Sequence, residues 1–66
     1  MKFQERLIQE LKTSKYTQKE IANKLHIAES NITNWKNGQN IPSLEVFYEL
    51  CLLLEVSSDY LLGIEN

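Results

Sequence analysis

Apolar residues recur along this 66-residue chain at the spacing of an α-helix. The first stretch has four such positions on one stripe: Phe3, Leu7, Ile8 and Leu11. The stripe should fade near residues 13–14, where two poor helix formers meet. The pattern therefore predicts a first helix that ends there and buries one face.

A second helix begins at a capping box. The hydroxyl of Thr17 and the side chain of Glu20 can each bond the other residue's backbone amide. The helix that follows has its apolar residues at Ile21, Ala22 and Leu25. We expect it to be about two turns long and to end near residues 25–26.

Three further helices are predicted after this point. Residues 29–37 form the first, and Gly38 ends it because glycine readily takes the left-handed conformation. After an irregular connection over residues 39–42, Ser43 is the expected N-cap of a three-turn helix. The predicted core face of that helix is Leu44, Phe47, Leu50, Cys51 and Leu54. A last short helix begins at caps in residues 57–59 and ends at Gly63, which makes an all-α chain of five helices.

Composition favours a helical domain and excludes several kinds of site. Two glycines and one proline leave little room for hairpins. One cysteine excludes a disulfide framework, and one histidine beside it is too few for a zinc site. No apolar run is long enough to span a membrane, and the first residues do not resemble a signal peptide. We therefore expect a cytoplasmic protein that holds no metal and no cofactor.

An enzyme is also disfavoured. The chain has no paired carboxylates, no nucleophile–base pair and no glycine-rich phosphate loop, and a cleft is hard to build at this size. We predict that the protein is not an enzyme, and no small-molecule ligand is evident.

Charge is divided between the two parts of the chain. Residues 1–40 carry seven basic and four acidic residues, a net charge of +3, whereas residues 41–66 carry five acidic residues and no base. The total of −2 conceals this asymmetry, which is typical either of a charged binding face or of a surface with chance clustering.

The predicted third helix has one apolar side and one side of short polar residues. With about 100° per residue, Ala28, Ile32 and Trp35 share the apolar side. The opposite side consists of Glu29, Ser30, Thr33, Asn34 and Asn37. Ser, Thr and Asn are poorer helix formers than the Glu and Lys of an ordinary helix surface, but they hydrogen-bond base edges and phosphates at close range. The face is thus either a nucleic-acid contact or a merely polar surface.

Residues 17–43 resemble the helix-turn-helix of the lambda-repressor and Cro-like family, also called the Xre family. The matching positions are Thr17, Gln18, Ile21, Ala22, Ile27, Ile32, Trp35, Asn37, Gly38, Pro42, Ser43 and Leu44. Residues 3–7 and 59–63 resemble the family's first and fifth helices. The resemblance implies a compact five-helix bundle, a single domain over residues 1–66 with its helix-turn-helix at about 18–37. It also implies that the third helix lies in the major groove.

The resemblance further implies which residues contact DNA. Glu29, Ser30 and Asn34, with Thr33 beside them, match positions that usually meet base edges. Gln18 matches a glutamine that usually binds a phosphate and braces the start of the recognition helix. The other candidates for phosphate binding are Lys36, Asn37, Gln39, Asn40 and Ser43.

Three residues depart from the family pattern. His26 stands where the family usually has glycine, at a turn position that needs a positive φ. Ala28 replaces the usual Ser or Thr cap of the recognition helix, which should cost about 1 kcal/mol. Glu29 brings a negative charge to the first base-reading position, where it either accepts from a cytosine amino group or only favours the helix dipole.

Other residues have more ordinary explanations. Trp35 is expected in the core rather than as an intercalating wedge, and Cys51 is expected to be a small buried hydrophobe. Four apolar residues near the end are either an extension of the core or a dimer patch: Tyr48, Tyr60, Leu62 and Ile64.

The sequence therefore predicts a repressor-like transcriptional regulator of bacterial or phage type that binds double-stranded, operator-like DNA. We expect a homodimer on an inverted repeat, because half-sites one helical turn apart mirror a two-fold protein. The alternative is a protein-interaction module, antitoxin-like or a dimerisation partner, that keeps the fold with weak or no DNA binding. The pI of 5.2 and the single basic residue on the third helix, Lys36, favour this alternative.

Overall fold

The computed structural model describes residues 1–65, which form five helices with short connections. In chain order they are α1 Phe3–Thr13, α2 Gln18–Leu25, α3 Glu29–Lys36, α4 Leu44–Leu54 and α5 Ser58–Leu62. The predicted all-α, five-helix fold is confirmed, and the predicted helix bounds are met to within one or two residues. The predicted domain includes Asn66, which lies outside the described residues. Within residues 1–65, every helix is too short or too polar to cross a membrane.

Each helix contributes one completely buried side chain to a common core. These five side chains are Leu7, Ile21, Ile32, Leu50 and Leu61. Phe3, Ala22, Leu25 and Trp35 complete the buried cluster, and the ring of Phe3 meets that of Phe47 edge-on at 5.8 Å. Helices this short are marginal when isolated, so the shared core is what stabilises each of them. The expectation that Trp35 lies in the core is confirmed.

The predicted caps are present at the helix ends. Thr17 Oγ1 accepts from the Glu20 amide at 3.1 Å, and the Glu20 carboxylate accepts from the Thr17 amide at 2.8 Å. Hydrogen bonds to Thr17 lower the pKa of Glu20, and the bond to the Thr17 backbone contributes more than the one to its side chain. The Glu20 carboxylate of the capping box is therefore ionised near neutral pH. Ser43 and Ser57 also cap their helices, α4 and α5, but only through their hydroxyls, which accept from amides of the first turn.

The predicted core face of α4 is wrong at Leu44, which is 83% exposed. At about 100° per residue, Leu44 lies about 120° around the helix from Leu50, the buried centre of that face. Phe47, Cys51 and Leu54 are closer to Leu50 on the helix surface and are half-buried against the core. The spacing of apolar residues predicted that Leu44 is buried. Leu44 is instead exposed to solvent because it lies at the edge of the apolar stripe of α4 and in the first turn of that helix.

Of the four apolar residues predicted either to extend the core or to form a dimer patch, two extend the core. Tyr60 and Leu62 are half-buried, and the Arg6 guanidinium lies 4.4 Å from the centre of the Tyr60 ring. Arg6 also donates to the carbonyl oxygens of Tyr60 and Glu65, at 2.6 and 2.7 Å. Tyr48 and Ile64 are 63% and 72% exposed and do not extend the core.

The cap of α3 offers a direct stability prediction. Ala28 has the extended backbone of an N-cap but makes no side-chain cap hydrogen bond. We expect Ala28→Ser to raise the free energy of unfolding by about 1 kcal/mol, because a hydroxyl can accept from an amide of the first turn. Thermal unfolding followed by circular dichroism would show a higher Tm. Ala28→Val, which adds no acceptor, is the control, and an unchanged or lower Tm for the serine variant would contradict this N-cap.

A second stability prediction concerns the end of α4. Glu55 is in the left-handed region at φ 54° and ψ 46°, and its carboxylate lies at the helix C-terminus, where the dipole disfavours negative charge. We expect Glu55→Gly to raise the free energy of unfolding by about 1 kcal/mol. Glu55→Gln separates the two causes, since it removes the same charge but keeps the strained φ. Equal gains from both variants in a urea titration would show that backbone strain contributes nothing.

Candidate nucleic-acid interface

Residues 26–28 join α2 to α3 in a tight turn. His26 has φ 58° and ψ 42°, which confirms that this position requires a positive φ. Its amide donates to the carbonyl of Asn23 at 3.2 Å, and the amide of Ile27 donates to that of Ala22 at 3.0 Å. These bonds satisfy the end of α2, while half-buried Ile27 packs on the core and α3 turns to lie against α2.

The two sides of α3 differ as predicted, except that Ala28, which was placed on the apolar side, is exposed. Ile32 and Trp35 are inside, with 0% and 4% exposure. The side chains of Glu29, Ser30 and Thr33 are exposed on the opposite side. Asn34 is half-buried at the margin of this outer face, as are Asn31 and Lys36. The structure thus brings all four candidate base-reading residues to one helix and presents three of them fully to solvent.

Gln18, at the first position of α2, is hydrogen-bonded to two residues of α3. Its Nε2 donates to Thr33 Oγ1 at 2.9 Å, and its Oε1 accepts from Lys36 Nζ at 3.1 Å. Thr33 and Lys36 are three residues apart and therefore neighbours on the helix surface, so they reach the same amide. The expected brace exists, but it holds the second turn of α3 rather than its start.

The segment after α3 carries the remaining phosphate-binding candidates. Asn37, Gln39, Asn40 and Ser43 are all exposed and lie within one stretch of seven residues, positions 37–43. Gly38 takes φ +75°, as expected of the residue that ends this helix, and the Gln39 amide donates to the Asn34 carbonyl at 2.9 Å. Ser43 Oγ accepts from the Val46 amide at 3.2 Å, so the N-terminus of α4 closes the segment.

Gln4 is a functional candidate that sequence reasoning missed. Its Nε2 donates to the Lys36 carbonyl at 2.8 Å and ties α1 to the last turn of α3. A Cβ at Gly38 would come within 3.0 Å of the same Nε2 atom, so glycine there also leaves room for this contact. Gln4 lies 32 residues from Lys36 in the chain, and no local pattern indicates such a bond.

The described residues lack the parts of a metal or nucleophilic centre. Within residues 1–65, no three His, Cys, Asp or Glu side chains lie close enough together to hold a metal ion. Cys51 is half-buried, and burial raises the pKa of its thiol, which makes it a poor nucleophile. Cys51 was predicted to be buried, but it is only half-buried and packs against the edge of the core.

An exposed apolar surface adjoins the candidate interface, and we call it the α4 apolar face. It consists of Met1, Ile41, Leu44, Tyr48 and Leu52, each more than 60% exposed. Leu44, Tyr48 and Leu52 recur every four residues along one side of α4. A groove of about 250 Å³ lies between Met1, Ile41 and Leu44 and is floored by Phe3 and Phe47. Ile41 itself lies in the exposed segment that follows α3, residues 37–43.

Comparison with known proteins gives two matches. Residues 5–65 match a family described as a helix-turn-helix domain. The chain is also 44% identical over 48 residues to the HTH-type transcriptional regulator ImmR of Bacillus subtilis (strain 168), a match over 73% of this chain. The chain spans 38% of that regulator's length. These matches confirm the resemblance to the Xre family and agree with the prediction that the protein is not an enzyme.

Proposed function

The chain belongs to the helix-turn-helix domain family, and from this membership we propose that it is a sequence-specific, double-stranded DNA-binding regulator of transcription. The observation that carries the proposal is α3, whose outer face is built from short polar side chains and whose inner face is fixed by Ile32 and Trp35. A similar protein is itself named as a transcriptional regulator. We further propose that the domain comprises residues 1–66 and that it acts in the cytoplasm as a repressor-like regulator.

Base reading is assigned to the outer face of α3 in the major groove. The hydroxyl groups of Ser30 and Thr33 can donate to an acceptor or accept from a donor on a base edge, and the amide of Asn34 can form two hydrogen bonds with adenine. Glu29 can accept from a cytosine amino group, and as an acid in the first turn of α3 it also stabilises the helix. If Glu29 reads a base, the selected DNA should prefer cytosine at the position opposite Glu29, and Glu29→Gln should lose this preference. If Glu29 only stabilises the helix, the base preference should be the same in both proteins.

Phosphate binding is assigned to both sides of that helix. Gln18 and Lys36 lie on one side, where the Lys36 ammonium has two further protons to donate after its bond to Gln18. The other contacts are assigned to Asn37, Gln39, Asn40 and Ser43 in the exposed segment. Because few of these groups are charged, we expect a shallower salt dependence than a strongly basic domain shows.

We propose that two copies associate through the α4 apolar face and bind an inverted repeat. The described residues span only 29 × 24 × 22 Å, whereas half-sites repeat at about 34–36 Å. Two copies bound one turn apart on the same side of DNA would therefore lie side by side, and contact between their facing surfaces would fix that spacing. The α4 apolar face continues directly from the phosphate-binding segment at Ile41, which makes it the surface best placed for that contact.

The rival function is a protein-interaction module that has kept the fold. The observation in its favour is electrostatic, since residues 41–65 contain five acidic residues and no base and the chain has a pI of 5.2. The α4 apolar face would then receive a different protein, and α3 would remain free.

A selection from random-sequence duplex DNA at two salt concentrations tests the proposal. We expect enrichment of an inverted repeat, with affinity that falls as salt rises. Leu44→Glu, which places a charge on the α4 apolar face, should reduce the enriched sequence to a single half-site. Feeble binding with no enriched sequence, by a protein that is folded by circular dichroism, would favour the interaction module instead.

A further inference from the structure

We propose, on the basis of the DNA-binding function proposed above, that Gln4 of α1 is a positioning residue for DNA binding. Its side-chain amide holds the point at which the chain leaves α3. It thereby fixes the course of the exposed segment that carries the phosphate-binding candidates, residues 37–43. The segment meets the DNA backbone already ordered, and Gln4 acts through it without touching DNA.

The first observation is the hydrogen bonding at the end of α3. The last four carbonyls of a helix have no partner within that helix. In α3, those of residues 33–35 accept from the backbone amides of residues 37–39. The fourth belongs to Lys36, and it accepts from Gln4 Nε2 at 2.8 Å. A side chain of α1 therefore completes the hydrogen bonding at the end of the recognition helix.

This bond holds one peptide group on both of its sides. The Lys36 carbonyl and the Asn37 amide belong to the same planar unit. Gln4 donates to the carbonyl, and the amide donates to the Thr33 carbonyl at 3.0 Å. The plane cannot rotate about the line between its two Cα atoms without losing one of these bonds. The direction in which the chain enters residues 37–43 is thus set.

Gly38 brings the next residue of the segment against the same amide. A Cβ on Gly38 would lie 3.0 Å from Nε2 and 3.2 Å from Oε1 of Gln4, so the amide lies directly against the glycine. The Gly38 amide also donates to the Trp35 carbonyl at 3.1 Å. Gln4 therefore contacts the start of the segment at two successive places, the Lys36 carbonyl and Gly38.

The consequence is a gain in affinity that does not depend on base sequence. Ordering the backbone of a segment when it binds opposes association. Gln4 lowers that cost, because Asn37, Gln39 and Asn40 follow directly from the point that it holds. Phosphate contacts carry no information about the bases, so the gain is the same for every duplex.

The arrangement is tested first in the absence of DNA. Gln4→Met keeps a good helix former of similar length in α1 but has no donor. In NMR relaxation of the free protein, the backbone order parameters of residues 37–40 should fall below the value of about 0.85 that is typical of a rigid backbone. Gln9→Met is the control, since Gln9 is exposed about 140° around α1 from Gln4. Order parameters that stay unchanged in Gln4→Met, or fall equally in Gln9→Met, would overturn the proposal.

The second test measures DNA affinity. Gln4→Met should weaken binding by about 2- to 10-fold, the range that one hydrogen bond contributes. The factor should be the same for the preferred duplex and for unrelated duplexes, and Gln9→Met should bind within a factor of about two of the wild type. A loss confined to the preferred duplex would contradict the proposal, because Gln4 would then affect base reading.

Gly38→Ala provides an independent measure of the same contact. The added Cβ must displace the Gln4 amide, and it also strains the backbone at φ +75°. In a Gln4→Ala background only the strain remains, so the loss of affinity caused by Gly38→Ala should be smaller there by about 2- to 10-fold. Equal losses in the two backgrounds would mean that Gln4 and Gly38 do not act together.

Three further outcomes separate the failures. Lower order parameters in Gln4→Met with unchanged affinity would overturn the role of Gln4 and leave DNA binding intact. Lower order parameters in that variant, together with no measurable DNA binding by the wild type, would overturn the proposed function and with it the role of Gln4. Weaker binding with unchanged order parameters would show that Gln4 contacts phosphate itself, which contradicts a positioning role.

Discussion

Replacement of Ile32 by alanine should lower the free energy of unfolding by about 2–5 kcal/mol. Ile32 is completely buried at the centre of the core and anchors the inner side of α3. A chain of this size has about 3–10 kcal/mol of stability in total, so a large share of the molecules should unfold at physiological temperature. Urea and thermal unfolding measured by circular dichroism check the result.

Ile64→Ala is the matched control for Ile32→Ala. It removes the same side chain from a position that is 72% exposed and lies outside the α4 apolar face. We expect a change of less than about 0.5 kcal/mol. Comparable losses in the two variants would mean that α3 does not pack on the core in the way described.

Asn34→Ala should weaken binding to the preferred DNA sequence by about 5- to 150-fold, the equivalent of about 1–3 kcal/mol for a bidentate contact to adenine. Asn34 lies at the margin of the outer face of α3, and its backbone is fixed by the amide of Gln39. Binding to unrelated sequences should change little, because phosphate contacts are untouched. Titration of fluorescent duplexes, matched and mismatched at that base pair, measures both quantities.

The control for Asn34→Ala is Asn31→Ala on the same helix. Both asparagines are half-buried, but Asn31 lies about 60° further around α3 from the centre of the outer face, next to the buried side. We expect Asn31→Ala to leave DNA affinity within a factor of about two. If both variants bind alike, Asn34 does not read a base, and the interface must be centred on Ser30 and Thr33 instead.

Features set by neighbouring residues were well predicted from the sequence. The capping box at Thr17, the positive φ at His26 and the helix end at Gly38 all depend on residues within a few positions of one another. Their geometry follows from local backbone chemistry. The inner position of Trp35 was also predicted, because the period of one short helix determines it.

Features set by contacts between helices were not predicted. Leu44 is 83% exposed at the edge of the apolar stripe of α4, and the period of α4 alone does not reveal how far the core covers that stripe. The bond from Gln4 to Lys36 spans 32 residues, and the bond from Gln18 to Thr33 spans 15. The resemblance to a family indicated that Gln18 braces α3, but it did not indicate that the partners of Gln18 are Thr33 and Lys36.

The contacts of Arg6 mean that the beginning and end of the chain fold as one event. Its bonds to the carbonyls of Tyr60 and Glu65 close loops of 54 and 59 residues, and such closure carries an entropic cost that is recovered only when the core is complete. The five residues of α5 cannot persist as a helix alone. Loss of that short helix would also expose Leu61 and withdraw the partner of α1. We therefore expect α5, the shortest helix, to unfold together with the rest of the fold and not to fray independently.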